Sequence, residues 1–105
     1  MRVVVKFHRT VEPALEEWWR AICQAHHGNA DLARLARDEL VRQLQDAKGL
    51  PHGAEFLRTH VPPCWGWRFT ANTWVLYQYR DRHLGFWHGI ERTVVVIGVR
   101  NQPPA

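Results

Sequence analysis

The hydrophobic spacing of this chain changes at the break Gly49-Leu50-Pro51. From Leu15 to that break apolar residues recur every three or four positions; after it, they recur at every second position or run continuously. A chain with helical spacing first and strand spacing afterwards, at a length of 105 residues, is confined to a single α+β domain. It carries no internal repeat, linker or low-complexity tract.

The first half opens with "VVVKF", Val3–Phe7, a β-branched run bounded by charge that reads as a strand. Thr10 is placed to cap the next element, Pro13 falls in its first turn, and Glu12, Glu16 and Glu17 load the positive end of the helix dipole. Leu15, Trp18, Trp19, Ile22 and Ala25 then form one apolar face, and Gly28-Asn29 ends the helix. Asp31 is read as the cap of a second helix, "LARLARDELVRQLQDAK". Its ridge is Leu32, Ala36, Leu40 and Leu44, with Leu35, Val41 and Ala47 beside it. Arg34, Arg37, Asp38, Arg42 and Asp46 make its solvated face, and Gly49 with Pro51 stops it. Two helices joined so briefly pack as an antiparallel hairpin.

In the second half, "GAEFLRTHVPP" is a connection with a short extended piece at Phe56–Thr59. "CWGWRFT" alternates, with Trp65, Trp67 and Phe69 on one face and Gly66 and Arg68 on the other. Ala71-Asn72 makes a tight turn, because Asn tolerates a left-handed backbone. "TWVLYQYR" places Val75, Tyr77 and Tyr79 against Trp74, Leu76, Gln78 and Arg80. "TVVVIGVR" is nearly continuous apolar, the pattern of a central strand covered on both faces. The predicted order is β-α-α-β-β-β: a helical hairpin packed on a mostly antiparallel four-stranded sheet. Trp18, Trp19, Trp65 and Trp67 are expected where the two layers meet.

Composition narrows the function classes. No apolar run approaches the roughly 18 residues of a membrane span, and "MRVVVKFHR" lacks the apolar core of a secretory leader. Cys23 and Cys64, in a predicted helix and a predicted strand, make no disulfide framework; as free thiols they suit a reducing cytoplasm. The seven histidines show no metal-ligand spacing, and nothing calls for a cofactor. The net charge of +4 is uneven: residues 55–105 carry six Arg against three acids, and five of those Arg fall between Arg68 and Arg100. That distribution fits either a phosphate-bearing partner or a solvated sheet face.

Three stretches together resemble the RelE/ParE superfamily of bacterial toxin components from type II toxin–antitoxin pairs. "VKFHRTVEPALEEWWRAI" is similar to the family's opening strand and first helix. "ELVRQLQDAKGLP" resembles the end of its second helix, and "CWGWRF…TWVLYQY…VVVIGVR" its three-strand meander. The resemblance spans nearly the whole chain. It implies the fold described above, a cognate antitoxin as partner, and growth inhibition through a bacterial target. That target is messenger RNA on the ribosome for the endoribonuclease (mRNA interferase) members and DNA gyrase for the ParE-like members; the remaining alternative is an inactive relative that acts as a protein-binding module. In the nuclease members the 2′-hydroxyl attacks the adjacent phosphate, which needs a base, cations on the phosphate and an acid for the leaving oxygen.

Carried over by position, Arg68 matches a basic residue of the first meander strand and Arg100 the Arg of the last strand. Trp74 stands where the nuclease members have an Arg, and Gly66 where another basic residue is common; Trp74 is either core or a ring that stacks on a base. The sequence ends in "NQPPA" with no Tyr or His of the kind the family carries near its C-terminus. His83 and His88 are therefore the candidate proton-transfer groups, beside Arg68 and Arg100 as the candidate phosphate clamp.

Between the last two predicted strands lies "RDRHLGFWHGIER", about ten residues longer than the family's usual connection. Arg80, Arg82 and Arg92 supply charge, and Phe86 and Trp87 supply stacking surfaces, with Gly85 and Gly89 as hinges. Arg80, Arg82, Arg92, Trp74 and Trp87 are accordingly the candidate RNA- or target-binding residues. The alternative is a long hairpin whose Phe86 and Trp87 fold back onto the sheet.

Overall fold

The computed structural model describes residues 1–25, 28 and 30–104. The predicted helix end at Gly28-Asn29 and the histidines His26 and His27 fall wholly or partly outside those residues. The elements in chain order are β1 (Arg2–Phe7), a 3-10 turn (Arg9–Val11), α1 (Glu12–Ala25) and α2 (Ala30–Asp46), then β2 (Glu55–Leu57), β3 (Cys64–Thr70), β4 (Thr73–His83) and β5 (Ile90–Arg100). The helix entry differs from expectation. His8, not Thr10, caps the 3-10 turn, its Nδ1 accepting from the Thr10 backbone N–H, and Asp31 lies inside the first turn of α2.

The sheet has five strands, not four, in the order β1-β5-β4-β3-β2. The extended piece foreseen near Phe56 is the fifth, a three-residue edge strand antiparallel to β3. β1 lies parallel to β5, Val3 opposite Arg92 and Phe7 opposite Val96, while β3, β4 and β5 form an antiparallel meander. Ala71 and Asn72 make the tight turn between β3 and β4.

Both helices pack on one face of this sheet. Val11, Leu15, Leu40 and Leu44 meet Trp67, Val75, Tyr77, Val94, Val96 and Val99 in a single core, with Val3, Val5, Phe7 and Trp18 at its margin. Each fully buried Val or Leu there contributes about 1.5–3 kcal/mol. The Trp18 indole N–H donates to the Thr73 hydroxyl at 3.2 Å, tying α1 to the start of β4. Trp18 and Trp67 thus sit between the layers as expected. Arg37 is not merely solvated: its guanidinium lies 4.8 Å from the Phe7 ring centre and 5.6 Å from that of Trp19. Towards the N-terminal end of α2, Leu35, placed beside the ridge, is 59% exposed.

β5 runs centrally, between β1 and β4, but only one of its faces is covered. Val94, Val96 and Val99 are buried under the helices, whereas Thr93, Val95 and Ile97 are half-buried on the far side and line an open concavity. The near-continuous apolar run reflects a floor that no element of the described chain covers.

Candidate nucleic-acid interface

The open face is set by strand register. Arg68 on β3 pairs with Trp74 on β4, and Trp74 pairs with Arg100 on β5. Directly opposed residues of neighbouring strands point to the same side. Since Val75, one residue along, is in the core, the row Arg68–Trp74–Arg100 stands on the uncovered face. The two arginines rise about 10 Å apart with the indole between them. Arg68 donates to the Ala71 carbonyl at 2.9 Å, which holds it beside the turn. Neither Arg68 nor Arg100 pairs with a carboxylate among the described residues.

Gly66 and Gly98 lie on either side of Leu76 in the adjoining row. A Cβ on Gly66 would stand 2.9 Å from Leu57 Cδ1, and one on Gly98 would meet Leu76 Cδ1 at 3.3 Å. Leu76, though on the open face, is 1% exposed. At position 66, where the family commonly has a basic residue, any side chain would require Leu57 to shift.

The other candidate residues are not gathered at this row. His83 stands nine residues beyond Trp74 on β4, about 30 Å along the strand, and His88 is farther still. His83 and His88 therefore do not share one reaction centre with Arg68 and Arg100. Arg82 is bonded to Glu91 at 3.3 Å, and Arg2 also approaches Glu91 at 3.7 Å. Arg92 is committed internally. It makes two bonds to Asp81 at 2.7 and 2.9 Å, donates to the Lys48 carbonyl at 2.8 Å, and lies 4.2 Å from the Tyr79 ring centre. Its hydrogen bond holds the Asp81 carboxyl below the usual range. Arg92 thus fastens the end of α2 to the sheet, with three of its five N–H donors already used inside the fold.

The long connection is a two-stranded ribbon. β4 and β5 remain paired from Trp74–Arg100 out to His83–Ile90, and the loop between them closes through Leu84 N–H to Gly89 O at 3.0 Å. Gly85 and Gly89 are turn-formers rather than hinges, since each has a positive φ that side-chain-bearing residues rarely adopt. Phe86 and Trp87 do not fold back. They are 90% and 86% exposed and touch edge to face at the tip, ring centres 4.9 Å apart.

Two basic residues that the sequence did not single out, Lys6 and His8, also stand on the open face. They line, with Arg80, a concavity of about 820 Å³. Their signal was hidden because β1 is far from β5 in sequence and the parallel pairing joins them only in space. Cys64 is fully buried at the edge of this hollow, its Sγ 3.7 Å from His60 Nδ1; burial pushes the thiol pKa up, so it packs as an unreactive thiol. No group of His, Cys, Asp and Glu suited to a metal ion occurs among the described residues.

No protein-family model and no curated protein matches this chain by sequence. Among solved structures, it is similar to a YoeB/ParE toxin from Agrobacterium tumefaciens: TM-score 0.58 and 17% identity, covering 98% of this chain and 100% of that one. The order of elements, the covered and uncovered sheet faces and this match agree: the chain has the RelE/ParE toxin fold.

Proposed function

We propose that the chain is the toxin of a type II toxin–antitoxin pair and that it acts on messenger RNA at the ribosome as a metal-independent endoribonuclease. The observation that carries this reading is the row Arg68–Trp74–Arg100, two arginines without carboxylate partners among the described residues flanking an indole on the open face. Two guanidiniums stabilise the charge that builds on a phosphate when a neighbouring 2′-hydroxyl attacks it, and the indole offers a stacking surface for an unpaired base. The antitoxin would cover this same face, as a peptide laid over a cationic sheet.

The test is cleavage of messenger RNA in the presence of ribosomes, mapped by primer extension. Arg68→Ala with Arg100→Ala should lower the rate at least ~100-fold, in line with losing charge-stabilising donors, and relieve growth arrest. Undiminished arrest in the double variant rejects the assignment.

A second reading is favoured by one specific feature: His83 is about 30 Å from the row and His88 farther still, so neither histidine is near enough to transfer a proton there. A ParE-like inhibitor of DNA gyrase needs no proton transfer. Stalled gyrase with intact messenger RNA selects that reading, and specific cleavage excludes it.

A further inference from the structure

The Lys6–His8–Arg80 concavity lies on the open face but some distance from the arginine row: Arg80 is six residues along β4 from Trp74, about 20 Å. Its floor is Thr93, Val95 and Ile97 of β5. Lys6 on β1 is in register with Val95, and Arg80 on β4 is opposite Thr93. The two cations therefore stand on either side of one central strand.

The charged side chains of this hollow, Lys6 and Arg80, are both cationic, beside the uncharged polar Gln78 and Thr93. Lys6 and Arg80 are exposed and form no ion pair among the described residues. The His8 Nδ1 accepts the Thr10 backbone N–H at 3.2 Å, which leaves its Nε2 as the ring nitrogen able to meet a ligand. Of the described residues lining the hollow, none is Asp or Glu. A hollow with three basic side chains, no acid and an aliphatic floor suits an anion attached to a flat or apolar body. That is the chemistry of a nucleotide.

We propose that this concavity is a second phosphate subsite, holding the same RNA strand several nucleotides away from the Arg68–Trp74–Arg100 row. The inference rests on the RNA reading of the open face given above. It adds Lys6, His8 and Arg80 as the residues that anchor the strand where no bond is broken. A strand running over β4 and β5 meets cations at both ends of an uncharged stretch, Leu76 with Gly66 and Gly98. Two separated anchors fix the strand's direction as well as its affinity.

The experiment measures binding of a labelled single-stranded RNA of about ten nucleotides by fluorescence anisotropy, at several salt concentrations. Wild type is compared with Lys6→Ala/Arg80→Ala and with Arg68→Ala/Arg100→Ala, each checked for an unchanged melting curve. Each double change removes two phosphate contacts, so each should reduce the slope of log affinity against log salt by about 1.4. Lys6→Arg/Arg80→Lys should restore the slope, because the charge is what counts.

If only the Arg68/Arg100 change alters the slope, the subsite is overturned while the functional reading stands. If wild type fails to bind, or neither change matters, the RNA reading falls and takes the subsite with it. If polyglutamate of equal charge displaces the RNA from wild type but not from the Lys6/Arg80 variant, the hollow receives an acidic protein segment instead, and the RNA assignment is wrong.

Discussion

The Tyr77 hydroxyl donates to the Gly49 carbonyl at 2.6 Å, joining the centre of β4 to the turn that ends α2. Tyr77 is fully buried. Burial pushes its phenol pKa up, so the proton and the bond persist throughout the ordinary pH range. Tyr77→Phe keeps the ring but leaves the buried Gly49 carbonyl without this donor. We expect a loss of ~1–3 kcal/mol in urea unfolding, with RNA affinity per folded molecule unaltered, since the open face is on the other side of the sheet.

Arg92 holds the same junction from a second strand, through Asp81, the Lys48 carbonyl and the Tyr79 ring. Arg92→Ala should lower the melting temperature, and Arg92→Lys should recover little of it, because an ammonium cannot match the planar two-point fit to Asp81. A role in target binding would instead show as weakened RNA affinity at unchanged melting temperature.

Gly66 tests the packing account of the missing basic residue. Gly66→Ala forces Leu57 to move from 2.9 Å contact and should destabilise by about 1–3 kcal/mol. In a Leu57→Ala background the same change should be far milder. Equal costs in both backgrounds would show that Leu57 is not the obstacle.

On α2, Glu39 accepts hydrogen bonds from Arg42 and Gln43, the first being the larger cause of a carboxyl pKa lowered from 4.5 to about 2. A lowered carboxyl stabilises the fold above its unfolded value and loses that effect as pH falls through the folded value. Its contribution should be full above about pH 5 and fade towards about pH 2. Urea midpoints for Glu39→Gln should therefore lie below wild type at pH 7 and converge with it near pH 2. Because the pair is exposed to solvent, the gap should shrink in high salt.

At the ribbon tip, Trp87→Ala removes a ring that packs edge to face on Phe86. Stability should change by less than ~0.5 kcal/mol. If the tip contacts the target, toxicity should fall while the melting curve stays fixed; unchanged toxicity would leave the pair as a solvent-exposed loop end.

Much of the fold was legible because local patterns have fixed periods. Trp65, Trp67 and Phe69 on one side of β3, and Val75, Tyr77 and Tyr79 on one side of β4, follow from alternation alone. The fifth strand was harder to see, since three residues of β2 carry too little pattern and are held by pairing with β3. The clamp row was half legible. The types and approximate positions of Arg68 and Arg100 were readable, whereas the separation of His83 and His88 from them required knowing that β4 and β5 stay paired to the end of the ribbon.

The sequence by itself determined which side chains share a face of each regular strand, since alternation and helical spacing depend only on neighbours along the chain. Tertiary structure decided the face on which Arg100 stands. Val94 and Val96 point into the core, and strict alternation would carry Gly98 and Arg100 there too. Instead the pairing with β4 shifts by one residue between Val96 and Gly98, so that Val99 returns to the core and Arg100 emerges opposite Trp74. A one-residue shift reverses every side chain beyond it. It is set by contacts with the neighbouring strand, and those are formed only when the sheet assembles.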